Sequence, residues 1–299
     1  MMPKVAVVGV TGRTNAGKST LVNALVGEKI SIVSPVEQTT RNTIRGIAAD
    51  ERGQLVLLDT PGLHKAVGTL GSLLNRMARR SAAGVDILCV VFDASEAPQL
   101  EDIGWMNRIA KERPEKVVFV LNKCDREPFF ETMYRDAWKE ENSDVSPHWL
   151  KISALGGQGI EDVLGTLFGL AEEGEKLFDD DIVTDYPRKL TIADSIREKF
   201  LATLRDELPH EIGIVVKKID ESGRGWKVSA DVLVKRASQK PIVIGRGAST
   251  VKNVRKAAEK ELSEIFGVRV SLEIWVRVEP KWTENRRLLA EMGYLGDLV

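Results

Sequence analysis

Gly12-Arg13-Thr14-Asn15-Ala16-Gly17-Lys18-Ser19 decides how the rest of this 299-residue chain is read. The pattern is G-x-x-x-x-G-K-S. The apolar run Val5-Ala6-Val7-Val8-Gly9-Val10 precedes it, and Thr20-Leu21-Val22-Asn23-Ala24-Leu25-Val26, stopped by Gly27, follows. A buried strand, a glycine loop and a helix start in that order form the context of a phosphate-binding loop. Its glycines let backbone N–H groups turn inward around phosphate oxygens, where a Cβ would clash. The helix starting near Gly17 presents its positive end to the same anion. Lys18 reaches the β- and γ-phosphates and is a catalytic candidate, and the Ser19 hydroxyl is placed to ligate Mg²⁺. The eight loop residues and Thr20 are therefore expected to contact a nucleotide.

Composition sets the boundaries of this reading. The length suffices for two domains, each with its own core. The net charge of −1 conceals an asymmetry, because residues 188–299 carry a net of +6 and the first 187 residues a net of −7. An acidic half and a basic half suggest two tasks, the second on a polyanion. Two cysteines, Cys89 and Cys124, make no disulfide framework. No apolar run approaches the ~18 residues of a membrane span, and the N-terminus leads into a strand instead of a signal peptide. A soluble, cytoplasmic chain is expected.

Short runs that are apolar throughout mark the first half. Leu55-Val56-Leu57-Leu58 ends on Asp59, Ile87 to Phe92 ends on Asp93, and Val117 to Leu121 ends on Asn122. Such runs fit strands covered on both faces. Helical patterns lie between them, at Leu70 to Ala83 and Glu101 to Glu112. The layout predicts an α/β doubly wound sheet with its ligand at the carboxyl ends of the strands. Those ends carry Asp59-Thr60-Pro61-Gly62, where Asp59 can hold Mg²⁺ through water and the Gly62 N–H can reach the γ-phosphate. They also carry Asn122-Lys123-Cys124-Asp125. Asp125 accepts two hydrogen bonds from N1–H and the 2-amino group of guanine, a pair that adenine lacks. Lys123 can lay its alkyl stem on the base plane. Ser153-Ala154-Leu155, after Trp149 to Ile152, can give a backbone N–H to the guanine oxygen.

With these motifs in order, the chain resembles the translation-factor-like GTPases, and within them the Era family. The matching residues are the GRTNAGKS loop, Gln38-Thr39-Thr40-Arg41, Asp59-Thr60-Pro61-Gly62-Leu63-His64 and Asn122-Lys123-Cys124-Asp125. Thr14 and Ala16 depart from the family's usual Pro and Val, and neither change removes a phosphate-facing group. The resemblance implies GTP and GDP as ligands and Mg²⁺ held by Ser19, Thr40 and Asp59. Thr40, with Thr39 beside it, becomes the γ-phosphate sensor on a switch between Ser31 and Arg45 that has no clear period. Leu63 stands where many small GTPases have a glutamine that orients water. Relatives with an apolar residue there are slow enzymes that use potassium, held partly by an asparagine matching Asn15. Lys18, Thr40, Gly62 and Asn15 are thus the expected catalytic set, and His64 reads as an ordinary loop histidine.

The second half follows a different pattern. Residues 1–172 read as the GTPase domain, 173–190 as a solvated acidic linker and 191–299 as a second, smaller α+β domain. Ile192, Ile196, Phe200, Leu204 and Leu208 recur at helical spacing and predict a core face. Strands are expected at Ile212 to Ile219 and Trp226 to Val234, joined by Ser222-Gly223-Arg224-Gly225. Residues 232–258 hold seven Lys/Arg and no Asp or Glu. Inside that window Gly245-Arg246-Gly247-Ala248 leads into the helical stretch Thr250 to Phe266, and a last strand spans Val268 to Val278. The order α-β-β-α-α-β with a basic glycine turn resembles a type II KH domain, which clamps single-stranded RNA at a G-x-x-G loop. Gly245, Arg246, Gly247, Ala248 and Lys252 are the expected RNA contacts, and Ala248 departs from the family's glycine. The Era resemblance implies binding to the 3′ end of small-subunit ribosomal RNA and a role in small ribosomal subunit assembly; a monomer is expected, with weak peripheral association at the inner face of the cell membrane that would suit this reading and the competing one alike. The competing expectation is a membrane-associated regulatory GTPase whose basic half binds anionic lipid.

Overall fold

The computed structural model describes residues 2–33, 41–60, 84–205 and 208–294. Gln38, Thr39, Thr40, Pro61, Gly62, Leu63, His64 and the stretch Leu70 to Ala83 lie outside the described residues. The chain divides mainly at Asp185/Tyr186 into two compact units.

The first unit is built on a seven-stranded sheet. Its main order is β2 (Ile44–Asp50), β3 (Gly53–Asp59), β1 (Lys4–Thr11), β4 (Ile87–Asp93), β5 (Val117–Asn122) and β6 (His148–Lys151), with a two-residue β7 (Glu172–Glu173) beside β1. The strands β3, β1, β4, β5 and β6 pair in parallel. All seven residues of β4 and all six of β5 are buried, as continuous apolar runs covered on both faces require. Sequence reading had placed Arg45 within the switch segment. It belongs instead to β2, which runs antiparallel to β3 at the sheet edge. Its sequence, IRGIAAD, alternates too weakly to announce a strand.

An aromatic cluster fixes the far side of this sheet. Phe119 meets Phe92, Trp138 and Trp149 edge-on, with ring centroids 4.9–5.2 Å apart. Edge-to-face pairs of this kind add about 0.5–1.5 kcal/mol each beyond burial. They seat the helix Glu131–Glu140, whose Tyr134 is fully buried with its hydroxyl 2.9 Å from the Asp93 carbonyl.

The acidic stretch differs from the solvated linker expected. Glu172 and Glu173 pair with Val5 and Lys4, the Gly174 N–H donates to the Pro3 carbonyl, and the Gln54 side chain bonds the backbone of Leu177 and Phe178. Thr184 bridges to Gly46, and Arg45 pairs with Asp185 at 2.9 Å. Much of the stretch stays exposed, but its backbone is strapped to the first unit. Charge content alone does not reveal backbone pairing.

In the second unit β8 (Gly213–Asp220), β9 (Trp226–Val234) and β10 (Val270–Val278) form a sheet in the order β10-β9-β8. β8 and β9 pair antiparallel, and β9 runs parallel to β10. The helices Arg188–Thr203 and Ser249–Phe266 cover the sheet, and Ile192, Ile196, Phe200, Val254, Ala258 and Leu262 share one core with Val232 and Leu272. The expected face through Leu208 is buried throughout, but it does not run along a single helix. The first helix stops at Thr203 and Leu208–Glu211 begins another. Residues after β10 return to the sheet. Trp282 is fully buried beside Gly213, where a Cβ would stand 3.1 Å from the indole, and its ring N–H donates to the Glu211 carbonyl at 3.1 Å. Burying such a ring contributes about 3 kcal/mol.

Candidate functional site

The phosphate loop forms where the sequence places it. Gly17 (φ 97°) caps the helix Lys18–Val26, and a Cβ there would lie 2.2 Å from the Asn122 side-chain nitrogen, so this position must be glycine. Lys18 is only 6% exposed, and its ammonium donates to the Arg13 carbonyl at 2.7 Å. Burial lowers its pKa to about 8, with the Asp59 carboxylate opposing the shift. Asp59 is fully buried and neither oxygen makes a well-formed hydrogen bond. Desolvation holds its carboxyl above the usual range against the pull of the Ser19 hydroxyl, Lys18 and the Ser31 hydroxyl. A buried carboxylate without hydrogen bonds, beside a hydroxyl and an ammonium, fits a hard cation and phosphate oxygens.

The base end is tied to this loop through one residue. Asn122, 2% exposed, donates to the Ala16 carbonyl and accepts from the Ala154 N–H, each at 2.9 Å. Asn122 thus ties together the phosphate loop, the Asn122-Lys123-Cys124-Asp125 turn and the Ser153-Ala154-Leu155 turn. Asp125 is exposed, and the Ser153 hydroxyl chiefly holds its pKa below the usual value. Leu155 is 81% exposed. Ser153 and Ala154 are buried, and the Ser153 N–H is spent on the Gln158 carbonyl at 3.0 Å.

Some expected contacts are redirected. The Thr60 hydroxyl donates to the Val10 carbonyl at 3.0 Å, so it is structural here. The Arg13 guanidinium turns to carboxylates, donating to Glu96 at 2.8 Å with its Nε 3.2 Å from Asp102. Asn15 is exposed, with left-handed backbone at φ 61°. Thr14, Ala16 and Thr20 keep their places in the loop and first helical turn, with Ala16 fully buried. Thr40, Pro61, Gly62 and Leu63 are not among the described residues. Neither Asp93 nor Asp102, the carboxylates near Arg13, is given a role by the sequence. Asp93 ends β4, where the carboxyl-end rule that found Asp59 and Asn122 could have found it, and Asp102 lies in the first turn of the next helix, Leu100–Glu112.

The second unit presents the basic glycine turn. Gly245 (φ 77°) admits no Cβ, which would lie 2.3 Å from the Thr250 hydroxyl. Gly247 and Ala248 both take left-handed backbone at φ 61° before the helix Ser249–Phe266. Arg246 and Lys252 are exposed, and the Lys252 ammonium donates to the Gly247 carbonyl at 3.2 Å. Within the basic window Lys235 pairs with Glu211 and Arg255 with Glu259.

Comparison with known proteins follows this division. Residues 7–123 match the family described as 50S ribosome-binding GTPase, and residues 207–283 match the KH domain. The chain is 36% identical over 287 residues to GTPase Era of Crocosphaera subtropica, covering 96% of this chain and 91% of that one. It is 38% identical over 291 residues to GTPase Era of Rippkaea orientalis, with the same coverage. Among solved structures, an Aquifex aeolicus Era variant bound to GDP·AlF4⁻ superposes with a TM-score of 0.90 at 31% identity, covering 97% of this chain and 99% of the other. Era in complex with MgGDPNP and nucleotides 1506–1542 of 16S ribosomal RNA superposes at 0.91 and 31%, covering 98% and 99%.

Proposed function

The chain belongs to the Era family of GTPases, and on that premise we propose that its GTP hydrolysis governs a KH domain holding the 3′ end of small-subunit ribosomal RNA during subunit assembly. The observation that carries the RNA part is the turn Gly245 to Ala248. There two successive left-handed residues and a position closed to any Cβ bring bare backbone to the surface, flanked by exposed Arg246 and Lys252. Positive charge alone gives salt-sensitive, sequence-blind binding, whereas close backbone approach grips a single strand. The relative that superposes over nearly the whole chain binds a fragment of 16S ribosomal RNA, which supports the choice of partner. The test is a titration of single-stranded RNA at two salt concentrations with the double variant Arg246→Asp, Gly247→Asp. Its binding should fall at least about a hundredfold while GTP hydrolysis without RNA continues. Undiminished RNA affinity in the folded variant removes the clamp and leaves a solvated basic face. Lipid vesicles without RNA serve as a control, since binding to them would favour an anionic membrane as the partner.

At the nucleotide end, Lys18 exchanges its bond to the Arg13 carbonyl for the β- and γ-phosphates. Asp125 reads the guanine edge, with Asn122 holding the loops around it. Ser19 and Asp59 would hold Mg²⁺ together with Thr40, and the ion would compensate charge on the transferred phosphoryl group. Asn15, exposed in the loop, would help hold potassium near the β- and γ-phosphates. Replacing potassium by sodium at equal ionic strength should then slow turnover at least about threefold, and equal rates in the two salts reject the potassium role. No described helix is long and apolar enough to cross a membrane. A cytoplasmic location with weak membrane association is part of the proposal, tested by fractionation with and without RNase.

A further inference from the structure

Two carboxylates beside the phosphate loop have no part in the site as derived above. Asp93 ends β4 and is 2% exposed, and Asp102 sits in the first turn of the helix Leu100–Glu112 and is fully buried. Each loop of the nucleotide site sends one cation to them. The Lys123 ammonium from the base loop donates to Asp93 Oδ2. The Arg13 guanidinium from the phosphate loop lies 3.5 Å from that same oxygen and 3.2 Å from Asp102. The other Asp93 oxygen takes the Ser95 hydroxyl at 2.6 Å and the Ser95 N–H at 3.2 Å, so this carboxylate cannot turn. The Tyr134 hydroxyl closes the cluster, 2.9 Å from the Asp93 carbonyl and 3.1 Å from Asp102 Oδ2.

Both loops depend on this arrangement. Lys123 holds left-handed backbone at φ 67°, a conformation that a non-glycine residue keeps only when its surroundings impose it. Anchoring its ammonium on Asp93 fixes the alkyl stem where a base would lie. The Arg13 carbonyl is the acceptor on which Lys18 rests, so the placement of Arg13 sets the starting position of the phosphate-binding ammonium. Removing one member of a buried ion cluster leaves the others uncompensated. We propose that Asp93 is a positioning residue for the nucleotide, holding the phosphate loop through Arg13 and the base loop through Lys123 with a single carboxylate. The proposal rests on the reading of this pocket as a guanine-nucleotide site.

The test is steady-state and GDP-release kinetics of the full chain carrying Asp93→Asn, with folding checked by circular dichroism. Loss of one charge-assisted anchor should raise KM for GTP about tenfold and speed GDP release by a similar factor, while kcat falls less than about threefold. A double-mutant cycle with Lys123→Ala should be non-additive, since either change removes the same contact. Should Asp93→Asn fail to fold, Arg13→Gln substitutes for it, with an expected KM increase of about threefold that is also non-additive with Lys123→Ala. An unchanged KM, a kcat loss as large as the KM change, or strict additivity in the cycle overturns the proposal. Wild-type GDP binding is the control that separates the two readings. If the wild type fails to bind, the nucleotide site is wrong; if it binds and the variants match it, only the role of Asp93 is.

Discussion

The chain contains two glycine loops of similar local design and opposite surroundings. Each precedes a helix, each holds a non-glycine residue at φ 61° (Asn15 and Ala248), and in each a lysine donates to the carbonyl five residues back. Lys18 is buried against Asp59, and the backbone of its loop is bonded to Asn122 from a second loop. Lys252 is exposed, and its bond is to its own turn. Burial makes the first lysine a costly charge that a phosphate must satisfy, which favours one anion in one geometry. Exposure leaves the second a screened charge that accepts any phosphate backbone. Similar local chemistry is thus suited to selectivity in one place and to general grip in the other, and solvent makes the difference.

Matched alanine substitutions are the strongest attempt to break this contrast. Lys18→Ala should weaken GTP by about a hundredfold or more, as loss of a buried charge-assisted contact does, read by calorimetry. Lys252→Ala should weaken RNA only about threefold and reduce the slope of log affinity against log salt by about 1. Equal losses would mean that burial is not what separates the loops. The next effect is pH dependence. Lys18 titrates near 8 in the free protein, and bound phosphate favours its charged form and raises that value. Below pH 8 the lysine is charged in both states and its contribution to GTP affinity is flat. Above pH 8 binding must take up a proton, so affinity should fall by up to about tenfold per pH unit until the bound-state value is reached. RNA binding by Lys252 should show no such break, and a GTP profile flat from pH 7 to 9.5 counts against the buried-lysine account. The smallest effect sharpens the comparison within the RNA turn. Left-handed backbone costs an alanine about 1–2 kcal/mol, and glycine returns about 0.4–1 kcal/mol of that as extra freedom in the unfolded chain. Ala248→Gly should therefore stabilise the second unit by about 0.5 kcal/mol, visible as a raised melting midpoint. A lowered midpoint would show that the alanine methyl makes a contact worth more than the strain.

Much of this molecule was legible because its signals are local. The run before Gly12, the strand endings on Asp59, Asp93 and Asn122, and the glycine turn at Gly245 all rest on spacing within a few residues. Trp226 to Val234 is strand β9 at the expected bounds. Local periodicity misled where a pattern continued past its element, as at Leu204 and Leu208, where the periodic face outlasts a helix that stops at Thr203. It was silent where pairing is long-range. Glu172 and Glu173 looked like solvated charge, yet they form a strand on β1 through backbone groups that every residue possesses. Nothing in the residues next to Trp282 marks it as core, and its burial depends on Gly213 leaving room for the ring.

By itself, then, the sequence determined the two domain types, the phosphate loop, the Asn122 to Asp125 turn and the basic glycine turn, because glycine placement and apolar periodicity are properties of neighbouring residues. Only the tertiary structure decided which charges meet. Arg13 finds Glu96 across 83 positions, and Lys123 finds Asp93 across 30. How strongly such pairs act depends on how far folding has removed water around them, and no local pattern records that.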